Sequence, residues 1–181
     1  MELAIGYLRS PNTAQAAVLD AKWFGDRGIH KEALDEFIRI APDRAIAIIS
    51  EEILYGFATF EIVEQESMPA QYVTDHPLKK GRMLFIQQFT TEQNYSGDMH
   101  MDILLLDAIE VIAKKVNCSV VAEALDENHA YKKEHNPTHD AFGFYQSRGY
   151  TIDPNSSWKW TQEGLSSVSC QLVYKQIDTT V

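Results

Sequence analysis

The chain has 181 residues, 45% of them apolar and 23% charged, with 9 Gly and 6 Pro. That composition belongs to a folded globular protein and excludes disorder and low complexity. With 16 Lys and Arg against 26 Asp and Glu the formal charge is −10, which argues against a nucleic-acid partner, because phosphate-backbone binding draws on clustered Lys and Arg.

Residues 3–9, LAIGYLR, read as a strand, and Ser10-Pro11-Asn12 then supplies a cap and an early-turn proline for a helix. Ala14, Ala17, Val18, Ala21 and Phe24 follow at helical spacing, and the helix ends near Gly25 to Gly28. Ala33, Leu34, Phe37, Ile38 and Ala41 repeat the spacing in a second helix stopped by Pro42. From Ala45 the pattern changes to β-branched and aromatic runs. AIAIIS and ILYGFATFEIV, joined at Glu51-Glu52, read as an antiparallel hairpin, and MLFIQQFTT (83–91) as a third strand of the meander.

The segment from Asp102 to Cys118 reads as a central helix. Asp107, Glu110, Lys114 and Asn117 form one polar stripe on it, so the rest of its circumference is expected to be buried. SVVAEAL (119–125) is a strand, AFGFYQSRGY (141–150) a short helix ending at Gly149, and VSCQLVYKQI (168–177) a final strand, with room for one more around Trp158 to Trp160. The order βααβββαβαβ(β) defines an α/β class with an α+β mixed sheet, antiparallel in its first half and β-α-β in its second. No repeat or linker divides it, so it reads as a single domain over 1–181 with irregular insertions near 65–81 and 126–140.

Only Cys118 and Cys170 are present, which suits a reducing compartment. MELAIGYLRS has no basic segment followed by a long apolar one, and no window reaches roughly 18 apolar residues; the expectation is a cytoplasmic protein with no membrane partner. His129, His135, His139 and Asp140 invite a metal, but Asn136-Pro137 breaks the helix that would align His135 with His139. No metal is expected.

Three stretches carry a resemblance. In Ile53-Leu54-Tyr55-Gly56-Phe57-Ala58-Thr59-Phe60 an apolar pair precedes Gly-Phe-Ala, and in Ala141-Phe142-Gly143-Phe144-Tyr145-Gln146-Ser147-Arg148-Gly149-Tyr150 a Phe-Tyr pair stands between Ala and Gly-Tyr. Asn94-Tyr95-Ser96-Gly97-Asp98-Met99-His100 lies between the fourth strand and the central helix. With the element order these resemble the GNAT superfamily of N-acetyltransferases, over nearly the whole chain. The resemblance implies a GNAT-like acyl-CoA N-acyltransferase fold. It also implies an enzyme that moves an acetyl group from acetyl-CoA, the acyl-donor substrate, to an amine of a small molecule or peptide. A homodimer is left open.

The same resemblance assigns roles. Tyr145 takes the place of the acid that protonates the departing thiolate, a task suited to a phenol, which is protonated at working pH. Backbone at Phe89, Thr90 and Thr91 would hold the thioester carbonyl and stabilise the oxyanion. Asn94, Tyr95, Ser96, Gly97, Asp98, Met99 and His100 would receive the pyrophosphate on amides and a helix N-terminus. Asn128, or Asn136, would be the asparagine that follows the fifth strand. The loop departs from the family's Arg/Gln-x-x-Gly-x-Gly/Ala: Gly97 matches, Asn94 and Met99 do not, and no Lys or Arg occurs between Arg82 and Lys114. Glu123, which interrupts the apolar VVAEAL run, is the base read from the residues, with Glu61, Glu92 or a water chain as alternatives. Two other functions stay open: a GNAT-shaped interaction protein that has lost catalysis, and an acyltransferase with a different thioester donor.

Overall fold

In the computed structural model the described residues are 3–64, 81–92, 100–126, 140–153, 158–160 and 168–179. The elements are β1 (Ala4–Tyr7), α1 (Ser10–Phe24), a 3-10 turn (Gly25–Arg27), α2 (Lys31–Ile40), β2 (Ala45–Ser50), β3 (Ile53–Glu64), β4 (Arg82–Thr91), α3 (Met101–Lys115), β5 (Val120–Asp126), α4 (Ala141–Ser147), β6 (Thr151–Ile152), β7 (Trp158–Trp160) and β8 (Val168–Gln176). The class is α/β with a mixed sheet, as the sequence predicts. The pairing at Trp158–Trp160 is present, and the two-residue β6 is an addition to the predicted order. Among the described residues no helix is long and apolar enough to cross a membrane. The chain divides into two compact units, residues 1–60 with 87–109 and residues 61–86 with 110–181.

In the first unit β1 pairs antiparallel with β2, from Ala4↔Ile49 to Tyr7↔Ile46, and β2 pairs antiparallel with β3. The core gathers Leu8, Ala16, Leu19, Leu34, Ala45, Ala47, Leu54 and Phe57, each large member contributing about 1.5–3 kcal/mol by leaving water. Helix α1 buries Thr13, Ala16, Leu19, Asp20 and Trp23, a face rotated from the Ala14, Ala17, Val18, Ala21, Phe24 face that apolar spacing predicts. Val18 is 63% exposed. Alanines carry little burial energy, so the large Leu19 and Trp23 decide which side turns inward. Thr13 and Asp20 can follow because their polar atoms are hydrogen-bonded.

In the second unit β4 pairs parallel with β5, from Met83↔Val120 to Ile86↔Glu123. Strand β5 also pairs antiparallel with β8, from Val120↔Gln176 to Asp126↔Cys170, and β8 carries β6 and β7. A strand flanked on both edges reads as an almost continuous apolar run; Glu123 interrupts it in the middle, and Asp126 closes it. Helix α3, which belongs to the first unit up to Ile109 and to the second from Glu110, buries Met101, Leu105, Leu106, Ile109 and Ala113, whereas Val111 is 50% exposed. Its buried face is therefore a stripe, narrower than the near-complete circumference predicted. The helix stops at Lys115 rather than Cys118. Asn117 takes a left-handed φ of 62°, and the bonds Cys118 N–H to Ala113 O and Asn117 N–H to Lys114 O close a Schellman motif.

Candidate functional site

In the second unit, α4 presents Tyr145. Asp140 caps the helix by accepting the Gly143 N–H at 2.9 Å. A Cβ on residue 143 would run into that carboxylate, which accounts for the glycine. At the other end Tyr150 N–H bonds Tyr145 O and Gly149 N–H bonds Gln146 O, both at 3.0 Å, with Gly149 at φ 82°. This is a second Schellman motif. Its usual contact between the third residue from the end and the second beyond the cap is the Tyr145–Tyr150 pair, with ring centroids 4.9 Å apart. The Phe-Tyr…Gly-Tyr spacing thus has a mechanical cause: one helix stop fixes the tyrosine ring.

Tyr145 is 2% exposed and Glu123 9% exposed, and the Tyr145 hydroxyl donates a hydrogen bond to Glu123 Oε2. The acid implied by the resemblance and the base read from the residues are brought into direct contact. Behind Tyr145, burial first and then the neighbouring Glu110 carboxylate push the Tyr150 phenol far above its ordinary value. Glu110 is itself held by Lys175, whose Nζ lies 2.9 and 3.0 Å from its two oxygens and 5.6 Å from the Tyr150 ring centroid.

In the first unit the end of β4 is tied to α1. The Thr90 hydroxyl donates to Asp20 Oδ1, Trp23 Nε1 donates to Thr91 O at 2.9 Å, and Lys22 pairs with Glu92 at 2.6 Å. Glu92 N–H reaches Tyr55 O at 2.7 Å. The glycine of the third-strand motif has its reason here, since a Cβ on residue 56 would come within 3.0 Å of Thr91 Cγ2 and 3.2 Å of Thr90 O.

Of the remaining predicted residues, Phe89 is half-buried on β4, and His100 is exposed at the start of α3, where its carbonyl accepts Leu104 N–H. Glu61 is exposed and the Glu92 carboxylate is held by Lys22. Asn94, Tyr95, Ser96, Gly97, Asp98, Met99, Asn128, Asn136, His129, His135 and His139 lie outside the described residues. Among the described residues no group of three or more His, Cys, Asp and Glu is arranged to hold a metal. Sequence reasoning missed Asp20, Trp23, Glu110 and Lys175. The available signal was Asp20 itself, a charge at the helical spacing of Ala16, Leu19 and Trp23.

The chain matches no protein-family model and no curated protein in sequence. Its structure matches Arabidopsis thaliana NAA60 in complex with a bisubstrate analogue with a TM-score of 0.72 at 12% identity, covering 99% of this chain and 100% of that one. Arabidopsis thaliana Naa50 in complex with the bisubstrate analogue CoA-Ac-MVNAL gives 0.65 at 16% identity, with 97% and 99% covered. GphF, a GNAT-like decarboxylase in complex with isobutyryl-CoA, gives 0.68 at 12% identity, with 97% and 100% covered. At these identities the likeness establishes the fold: the chain has the fold of the GNAT acyltransferases.

Proposed function

We propose that this chain is an acyl-CoA-dependent N-acyltransferase that moves an acyl group, acetyl in the simplest case, to the amine of a small molecule or peptide. The observation that carries the reading is the buried hydrogen bond between Tyr145 and Glu123 in a chain of GNAT fold. Solved relatives in fold hold bisubstrate analogues or an acyl-CoA, which supports the donor class.

The reaction forms a C–N bond and breaks a C–S bond. The attacking nitrogen loses its proton to Glu123, and the departing thiolate takes the Tyr145 proton. Glu123 then returns a proton to Tyr145 along their hydrogen bond, so both side chains finish as they began. Backbone at Phe89 to Thr91 is assigned to the acyl carbonyl, where N–H groups stabilise the oxyanion. The resemblance assigns the pyrophosphate to residues 94–100, just ahead of α3, and a helix N-terminus favours an anion even without Lys or Arg.

Calorimetric titration with acetyl-CoA, followed by a thiol-release assay over amines, amino acids, polyamines and peptides, tests this. Binding with acceptor-dependent thiol release is expected. No heat at about 1 mM ligand rejects the acyl-CoA reading and leaves a GNAT-shaped interaction protein or another donor.

A further inference from the structure

The roles assigned above leave one fully buried carboxylate of the first unit unused. Asp20 on α1 is 0% exposed, and both its oxygens are engaged. Oδ1 accepts the Thr90 hydroxyl at 2.5 Å and Oδ2 the Ile29 N–H at 2.7 Å. Thr90 lies in the strand end assigned to the acyl carbonyl, and Ile29 lies in the connection from α1 to α2.

Withdrawing a carboxylate from water is costly unless directed donors meet its lone pairs. An apolar residue would fill the same place on α1 without that cost. What the carboxylate adds is direction, since it fixes a hydroxyl and an amide at once. The same stretch of α1 acts on the last residue of β4 and the one after it, through the Trp23 bond to Thr91 O and the Lys22 pair with Glu92. These ties use the Thr90 side chain, the Thr91 carbonyl and the Glu92 side chain.

We propose that Asp20 is a positioning residue for acyl transfer: through Thr90 it sets the β4 segment that holds the acyl carbonyl, and through Ile29 it locks the α1–α2 connection to that segment. The role rests on the acyltransferase reading. Donor placement matters at this scale, because a displacement of about 1 Å costs on the order of a hundredfold in rate.

The test compares acetyl-CoA with S-ethyl-CoA, a thioether of similar shape that lacks the carbonyl, by calorimetry on the full chain. The unaltered chain is expected to prefer acetyl-CoA. Thr90→Val, which keeps the shape but not the hydroxyl, and Asp20→Asn, which keeps one acceptor, bring the ratio of the two affinities to within about twofold of unity. Affinity for S-ethyl-CoA is unchanged in both variants, and Thr90→Ser restores the ratio. A merely structural role lowers both affinities together or leaves the ratio intact. Either result overturns the proposal, as does equal binding of the two ligands by the unaltered chain. Should Asp20→Asn fail to fold, the Thr90 pair decides. Binding of neither ligand by the unaltered chain rejects the acyltransferase function itself, and the positioning role falls with it.

Discussion

The Tyr145 hydroxyl donates to the Glu123 carboxylate across a sequence separation of 22 residues, joining the short helix α4 to the middle of β5. Both side chains are buried, so the bond is not competed for by bulk water and acts as one unit. A carboxylate charge disfavours a second negative charge on a phenol bonded to it. In the mechanism proposed above, loss of the amine proton to Glu123 would lift that opposition and ready Tyr145 to give its own.

Tyr145→Phe keeps the ring packing on Tyr150 and removes the proton. It is expected to lower kcat by about 10²-fold or more with little change in acetyl-CoA affinity. Glu123→Gln should do the same, and the double variant should be no worse than the poorer single one, because the two groups work together. Steady-state kinetics and calorimetry on the four chains check this. Additive losses would sink the relay, and full turnover in Tyr145→Phe removes the acid role.

Gly56→Ala tests the close approach of β3 to the end of β4. The new methyl would sit 3.0 Å from Thr91 Cγ2 and 3.2 Å from Thr90 O, and backbone yields less readily than a side chain. The expected cost is about 1–3 kcal/mol of stability, measured by urea unfolding, together with a larger fall in kcat than in acetyl-CoA affinity. Wild-type stability and turnover would show that the strand end is not packed as tightly as this.

The sequence disclosed what large apolar residues and turn residues dictate. The hairpin at Glu51-Glu52, the helix stop at Gly149 and the carboxylate in the middle of β5 were all legible, because each breaks a strong local pattern. The buried face of α1 was not. Thr13 and Asp20 go inside because of partners distant in sequence, Asp35 and Thr90, and periodicity carries no record of those partners. The same blindness hid the Glu110–Lys175 pair behind Tyr150, since Glu110 reads as part of a solvated stripe on α3. The Tyr145–Glu123 contact was prefigured only as two separate assignments; their adjacency comes from the register of β5 and the placement of α4.

Stability at alkaline pH should fall in part through Tyr150. Burial, then Glu110, raises its folded pKa above the ordinary phenol value. Above pH of about 10 the unfolded chain releases that proton while the folded chain holds it, so ν_U − ν_N is negative and stability declines as pH rises. The contribution is fully present below that point. Tyr150→Phe removes it, and the alkaline limb of a stability profile from pH 8 to 11 should become shallower, by up to about 1.4 kcal/mol per pH unit. An unchanged limb would assign the decline to other groups, Tyr174 among them, whose pKa burial also raises.

The β2–β3 turn places two non-glycine residues in left-handed backbone, Glu51 at φ 49° and Glu52 at φ 68°. Such residues lose on the order of 1 kcal/mol each against glycine or asparagine there, and the two adjacent like charges add repulsion. The turn is held from outside: Gln15 on α1 donates to Glu52 O at 3.0 Å and accepts from Leu54 N–H at 2.9 Å. Replacing Glu51-Glu52 by Asn-Gly, the pair best suited to a two-residue hairpin, should therefore raise stability by about 0.5–1 kcal/mol. Gln15→Ala should lower it by about 1 kcal/mol in the native chain, and by less once Asn-Gly makes the turn self-sufficient. Urea midpoints of the four chains measure both effects and their coupling. A fall in midpoint with Asn-Gly would mean that the two glutamates make contacts worth more than the strain they carry.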